Sequence, residues 1–466
     1  MLDSTVLLRS RACCSRQRRT WCAAGAARCG AAVAPPPALP ATSTPAEVVA
    51  SAAASLAPVF AAVDGVTQAN VRRVLTAFRS ARVGSHMFAG SSGYGHEDEG
   101  RLALDSLFAQ LVGAESALVR SQFFSGTHTI ACALFGALRP GDELLALAGK
   151  PYDTLEEVIG SRGRPGDGSL KEMGVSYREQ PLAADGGLDW DALRAGVLRH
   201  NTKVVLIQRS RGYSTRPTLS VAVIGQAIQL LKRERPDIIV AVDNCYGEFT
   251  EAREPSAVGA DLMMGSLIKN PGGTIVPCGG YIAGRADLVD NAASRLCAPG
   301  VGRDAGATPG DWRRLLFQGL FLAPQMVGEA VKSSHLIATV LGSEGFECAP
   351  RPGEARSDII TSITLRSPAR QLAFCAALQK ACPVGAYIRP EAAATPGYAS
   401  QVVFANGTFI EGSTAELSAD GPLRPPYVVY CQGGTHVAHW AIALEEAVAA
   451  LRDAAGAGDA PDWRNA

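Results

Sequence analysis

Along this chain, short apolar runs alternate with segments whose apolar positions recur every three to four residues. The runs 'SALVR', 'ELLALAG', 'VSYREQPL', 'KVVLIQRS', 'IIVAVDNCY' and 'GGYIAGR' read as strands, and 'GTHTIACALFGAL', 'TLEEVIGS', 'DWDALRAGVL' and 'VAVIGQAIQLLKRE' between them as helices. Strands of Val, Ile and Leu divided by helices predict a mostly parallel α/β sheet covered on both faces. Upstream, the Ala-rich stretch around Val48 to Val63 reads as a helix, 'VTQANVRRVLTAFRSARV' as an amphipathic helix, and 'GSSGYGHEDEGR' as a loop before a helix from about Leu102 to Val112. Beyond about Leu322 the rhythm changes. Strands 'DIITSITL', 'SQVVFANGTF' and 'YVVYCQGG' with helices 'ARQLAFCAALQKAC' and 'AHWAIALEEAVAALRDA' predict a smaller α+β domain.

The 466 residues are 47% apolar and 19% charged, with 44 basic and 44 acidic side chains. A neutral chain argues against nucleic acid or an anionic membrane as partner, and no run of about 20 apolar residues predicts a membrane span. The first 45 residues stand apart, with six arginines, no lysine and a single acid, Asp3, ahead of a Pro/Ala/Thr tract. That composition predicts an organelle transit peptide, chloroplast first, with mitochondrion or cytoplasm as the alternatives. Four of the twelve cysteines fall in this leader. The other eight form no CxxC pair, so buried free thiols are expected rather than a zinc or dithiol site. His96, His128, His436 and His439 complete no ligand set, and no metal is expected.

The candidate chemistry collects at strand ends, where ligands of open α/β sheets bind. Ser125-Gly126-Thr127 precedes a helix and offers hydroxyls and free N–H groups to an anion such as phosphate. Asp243 ends an apolar strand, where an unpartnered carboxylate is costly. Lys269 sits in 'GSLIKNPGG', three residues after Ser266, in a tight loop rather than on a solvated face. A lysine there can form a Schiff base with a carbonyl. Pyridoxal 5'-phosphate asks for such a lysine, a carboxylate on its pyridine nitrogen and donors around its phosphate. Lys269, Asp243 and Ser125-Gly126-Thr127 with Ser266 supply all three, and Tyr152 at a strand-to-helix turn supplies an aromatic to lie over the ring.

The motifs 'SGYGHEDEGR', 'SGTHTIACALFGALRPGDELL', 'PYDTLEEVIG', 'IQRSRGYSTRPTLS', 'VDNCYGEFTE', 'GADLMMGSLIKNPGG' and 'QGLFLAP' resemble the methionine gamma-lyase-related proteins, also known as cystathionine beta-lyase-like proteins involved in aluminium resistance. The resemblance runs from about residue 60 to 450. It implies a fold-type I pyridoxal phosphate enzyme, a seven-stranded large domain with a smaller C-terminal domain, and a homodimer or homotetramer. The expected layout is a leader at 1–45, a helical and dimer-contacting segment at 46–100, a cofactor domain at 101–323, a small domain at 324–455 and a frayed tail at 456–466. By the same resemblance Lys269 carries the cofactor, Asp243 partners its ring nitrogen, Gly126, Thr127 and Ser266 cup the phosphate, and Tyr152 stacks on the ring and assists as acid. Ser210 and Tyr213 are expected to face the cofactor. Tyr94 is expected to reach the phosphate of a neighbouring subunit, and Arg424 to hold the substrate carboxylate.

The expected activity is β- or γ-elimination from a sulfur amino acid such as cystathionine, methionine or cysteine, giving a keto acid, ammonia and a thiol. Aminotransfer, γ-replacement, or a catalytically silent protein in metal-stress tolerance are the alternatives.

Overall fold

The computed structural model describes residues 42–456. Residues 1–41, which hold most of the expected leader, and 457–466 lie outside the described part.

Seven strands form the larger sheet: β1 (Ser116–Arg120), β2 (Glu143–Ala146), β3 (Ser176–Glu179), β4 (Thr202–Gln208), β5 (Ile239–Asp243), β6 (Leu262–Ser266) and β7 (Gly280–Gly284). Their order is β1-β7-β6-β5-β4-β2-β3. Only β7 runs antiparallel to its neighbours; the β2–β3, β2–β4, β4–β5 and β5–β6 pairs are parallel. The mostly parallel seven-stranded sheet expected from the sequence is therefore present.

Why these runs become strands is plain from what they bury. All residues of β1, β2, β5, β6 and β7 are buried, and alternate residues enter opposite layers. Leu118 packs beneath the helices Gly126–Ala137 and Ala286–Leu296, while Ala117 and Val119 face the helix Glu99–Val112 and Phe317. That period of two is what a sheet covered on both faces requires. The edge strand β3 is the exception, with exposed or half-buried side chains throughout.

Six further strands build an antiparallel sheet: β8 (Glu347–Ala349), β9 (Ile360–Thr364), β10 (Ala392–Ala393), β11 (Val402–Ala405), β12 (Ser418–Pro422) and β13 (Val428–Gln432), in the order β10-β11-β12-β13-β9-β8. One 32-residue helix, Trp312–Ser343, serves both sheets. Its first half buries Leu316, Phe317 and Leu320 with the large sheet, and its last turns bury Leu336, Ile337 and Leu341 with the small one. The expected domain division at 323/324 falls inside this helix, at Pro324.

Two local departures have clear causes. The Ala-rich stretch is two helices, Pro45–Ser55 and Ala57–Ser80, bent by 58° at the break, and the first of them packs Val48, Val49 and Ala52 into the small-sheet core beside Trp440. The acidic loop expected to run up to about Leu102 gives way to a helix earlier, at Glu99. Asp98 is its N-cap, accepts from the Arg101 N–H at 2.9 Å, and pairs with the Arg313 guanidinium while only 6% exposed. A cap of this kind satisfies one orphan N–H of the first turn.

Candidate active site

The parallel register places Gln208, Asp243 and Met264 side by side at the ends of β4, β5 and β6. Directly beyond these ends lies a cleft of about 430 Å³. It is lined by eight of the eleven residues expected at the site, from Ser125, Gly126, Thr127 and Tyr152 through Ser210 and Asp243 to Ser266 and Lys269.

Lys269 follows β6 by three residues. Its loop is held from below: the buried Asn270 amide donates to the Glu248 carbonyl at 2.9 Å, and the Gly272 N–H bonds the Lys269 carbonyl at 3.1 Å. A Cβ on Gly272 would lie 1.9 Å from the Leu267 carbonyl oxygen, so the turn closes only around glycine. The turn leaves the Lys269 side chain reaching back into the cleft. Its Nζ donates to the Tyr246 hydroxyl at 3.0 Å and lies 4.4 Å from the centre of that ring.

Asp243 is 6% exposed and accepts from the Cys245 N–H at 3.1 Å. Burial raises its pKa above the ordinary carboxylate value, opposed by the Cys245 N–H and by the positive charges of Lys269 and Arg216. The loop after it is fixed by the fully buried Arg209, whose guanidinium donates to Asn244 Oδ1 at 2.8 Å, to the Gly247 carbonyl at 2.8 Å and to Glu251 at 2.7 Å. Arg209 is thus a structural residue of this loop. Cys245 is buried and its thiol is pushed well above the usual range by burial, which suits packing rather than nucleophilic attack.

The third corner is the N-terminus of the helix Gly126–Ala137. Ser125 caps it, accepting from the His128 N–H at 3.1 Å. The N–H groups of the first turn have no partner within the helix and carry the positive end of its dipole. A Cβ on Gly126 would come within 3.2 Å of Ser266 Cβ and 3.7 Å of Cys245 Sγ, so glycine keeps this hollow open. The Thr127 and Thr154 hydroxyls bond each other at 2.7 Å on its rim.

Tyr152 receives its position from Gln208, whose Oε1 accepts the Tyr152 N–H at 2.6 Å. Its ring lies against Gly212, where a Cβ would approach to 2.9 Å and where φ is +57°. Its hydroxyl meets the Tyr398 hydroxyl at 2.5 Å, and burial holds its pKa well above the ordinary phenol value. Ser210 donates to Asp358 at 2.7 Å.

Arg424, Tyr94 and Tyr213 are not among the residues lining this cleft. Arg424 stands on the turn after β12, exposed, donating to Ser400 Oγ at 3.3 Å. Tyr94 is 76% exposed and stacks on His96 at 5.5 Å. The sequence reading missed Asp420, Tyr246 and Tyr398, which do line the cleft. Asp420 accepts from the Tyr213 hydroxyl and from Gln432 Nε2 at 3.1 Å, and burial pushes its pKa up to about 6.

An amine on a glycine-closed turn, a buried carboxylate at the end of β5 and a glycine-lined hollow at a helix N-terminus are the donor set that pyridoxal phosphate requires. A hollow that a single Cβ on Gly126 would fill is the feature that best matches its phosphate. Fold and site together define a fold-type I pyridoxal phosphate-dependent protein, and pyridoxal phosphate is its cofactor.

Comparison with known proteins narrows the class. The family model for methionine gamma-lyase matches residues 45–452, and the chain belongs to that family. It is 45% identical over 398 residues to the Bacillus subtilis protein YnbB, covering 85% of this chain and 94% of that one. A crystal structure of a carbon-sulfur lyase involved in aluminium resistance from Clostridium novyi superposes with a TM-score of 0.83 at 41% identity, covering 87% of this chain and 95% of the other. A pyridoxal-5'-phosphate dependent Escherichia coli protein, YhfS, shares the fold at 16% identity with a TM-score of 0.56, over 83% of this chain and 97% of its own. These comparisons overturn the chloroplast expectation, because the relatives are proteins of bacteria, which have no chloroplasts.

Proposed function

We propose that the protein is a carbon–sulfur lyase that eliminates a thiol from the β- or γ-carbon of a sulfur amino acid, working as a homo-oligomer. The observation that carries this reading is the convergence of Lys269, Asp243 and the Ser125–Thr127 helix start on one cleft. The name of the Clostridium novyi relative, a carbon-sulfur lyase, supports the reaction type.

When bound, pyridoxal phosphate supplies an electron sink that makes the Cα–H bond of an amino acid acidic. The chain's own residues do the rest. Asp243 stands ready to pair with the positive ring nitrogen, and its burial makes that pairing strong. Gly126 and Thr127, through their N–H groups, and Ser266 are the residues that would hold the cofactor's phosphate. Lys269 Nζ moves the Cα proton, with the Tyr246 hydroxyl 3.0 Å away to hold the amine in place. Tyr152 remains a protonated phenol at neutral pH and delivers a proton to the departing sulfur. Tyr398, bonded to the Tyr152 hydroxyl, orients that proton. Tyr94, exposed on the single chain, serves the phosphate of the neighbouring subunit's site.

The test is to incubate the cofactor-loaded protein with individual sulfur amino acids and no second substrate. The expected products are keto acid and ammonia in equal amounts, with a free thiol. Keto acid appearing only when a 2-oxo acid is added would make the protein an aminotransferase instead.

A further inference from the structure

The cleft offers little positive charge. Among the described residues that line it, Lys269 is the one cationic side chain and no arginine is present, while Asp243, Glu411 and Asp420 are acidic. An amino acid nevertheless brings an α-carboxylate, which needs hydrogen-bond donors once it leaves water. Several donors of the cleft are already engaged. Thr127 and Thr154 bond each other, Ser210 bonds Asp358, Tyr152 bonds Tyr398 and Gln432 bonds Asp420.

Three hydroxyls are not engaged. Ser413, Thr414 and Ser418 line the cleft, are 1%, 5% and 4% exposed, and have no hydroxyl partner among the described residues. Buried polar groups left unpaired are costly and rare, so three on one wall of a cleft mark a place for a ligand. Each is an O–H donor that turns about a single bond. The backbone that carries them is fixed. Glu416 accepts from the Phe409 and Ile410 N–H groups at 2.8 and 3.1 Å, the Ser413 N–H bonds the Ile410 carbonyl at 2.9 Å, and Ser418 is paired with Gln432 of β13. A Cβ on Gly412 would lie 3.6 Å from Ile268 Cδ1, one residue before Lys269, so this wall stands beside the lysine.

On the reading above, in which an amino acid meets the cofactor at Lys269, the substrate's α-carbon carries both amine and carboxylate. The carboxylate therefore falls close to that lysine. We propose that Ser413, Thr414 and Ser418 form the α-carboxylate subsite, holding the substrate by neutral hydroxyl donors in place of the guanidinium expected from Arg424. Asp420, whose charge opposes a second anion, is turned to its own donors, the Tyr213 hydroxyl and the Gln432 amide.

The experiment compares S-ethylcysteine with 2-(ethylthio)ethylamine, the same molecule without its carboxylate. Stopped-flow absorbance of the cofactor-loaded full chain gives both dissociation constants before turnover. The wild-type protein is expected to bind the acid tighter than the amine. Ser413→Ala, Thr414→Val and Ser418→Ala are each expected to lower the acid-to-amine affinity ratio, and the triple variant to lower it by at least about tenfold, the worth of one hydrogen bond to a charged group. Affinity for the amine is expected to stay close to wild type. Removing an unpaired buried hydroxyl costs the empty site nothing, so urea midpoints of the substrate-free variants are expected at or above the wild-type value. Wild-type protein that binds the amine as tightly as the acid overturns the subsite. A triple variant that keeps the wild-type ratio, or that weakens acid and amine alike, overturns it too. The two readings fail separately. A ratio that collapses in the triple variant, with no keto acid from S-ethylcysteine in the wild type, supports the subsite and removes the lyase. Keto acid release with a ratio indifferent to the variants keeps the lyase and removes the subsite.

Discussion

Replacing Asp243 by asparagine separates what the site costs from what it does. The substitution keeps shape and keeps an oxygen for the Cys245 N–H, 3.1 Å away, but removes the charge. Burial raises the folded-state pKa of Asp243 above its ordinary value. Between the unfolded and folded pKa values the native state therefore binds more protons, so stability falls as pH rises through that window, and the deficit is complete above the folded value. The empty protein carries that deficit as pH rises above the ordinary carboxylate value, offset in part by the Cys245 N–H and the charges of Lys269 and Arg216. Asparagine relieves it, so the cofactor-free variant is expected to be more stable by about 1–2 kcal/mol. With cofactor the sign reverses. Loss of a hydrogen bond to a charged ring nitrogen, about 1.5–3 kcal/mol, weakens cofactor affinity by about 10–100-fold, and turnover falls at least as far. Urea unfolding with and without cofactor reads the first effect, and absorbance titration the second. A cofactor-free Asp243→Asn protein that unfolds at lower urea than wild type, with cofactor affinity unchanged, refutes the reasoning.

Two further outcomes follow from single contacts. Gly126→Ala places a methyl 3.2 Å from Ser266 Cβ, and is expected to lower affinity for pyridoxal phosphate about tenfold or more while leaving thermal stability of the cofactor-free protein close to wild type; equilibrium dialysis checks it. His335 is 6% exposed, its Nδ1 has no partner, and burial, aided by the Arg356 charge, depresses its pKa to about 3. The unfolded chain takes up that proton first, so stability is full above pH 6.5 and is lost as pH falls toward 3. Relative to His335→Leu, the wild type is expected to lose about 2 kcal/mol between pH 7 and pH 5, measurable as a steeper pH slope of urea midpoints.

Much of the large sheet was legible because its strands are buried on both faces. 'IIVAVDNCY' reads as a strand from composition alone, and an aspartate ending such a run invites a partner. 'GSLIKNPGG' was legible for a different reason, since the glycines that close the Lys269 turn also mark it. The small sheet was harder. β12 reads Ser-Ala-Asp-Gly-Pro, a turn by composition. It becomes a strand because it is paired on both sides, and a Cβ on Gly421 would strike the Val428 carbonyl at 2.2 Å. Asp420 was hidden for that reason, and Arg424, on the turn just beyond, was chosen for a cleft that its side chain does not line. Tyr398 lies in the loop 394–400, where no periodicity announces a site. The pairing of the first helix with Trp440 is tertiary in origin, and no local pattern encodes it.

The central claim is that Lys269 holds the cofactor. Reducing the loaded protein with borohydride and mapping the peptides by mass spectrometry tests it most directly. The account expects one pyridoxyl-modified peptide, containing Lys269, and no labelled peptide from Lys269→Ala. A label on another lysine, or a Lys269→Ala protein labelled to the same extent, contradicts it.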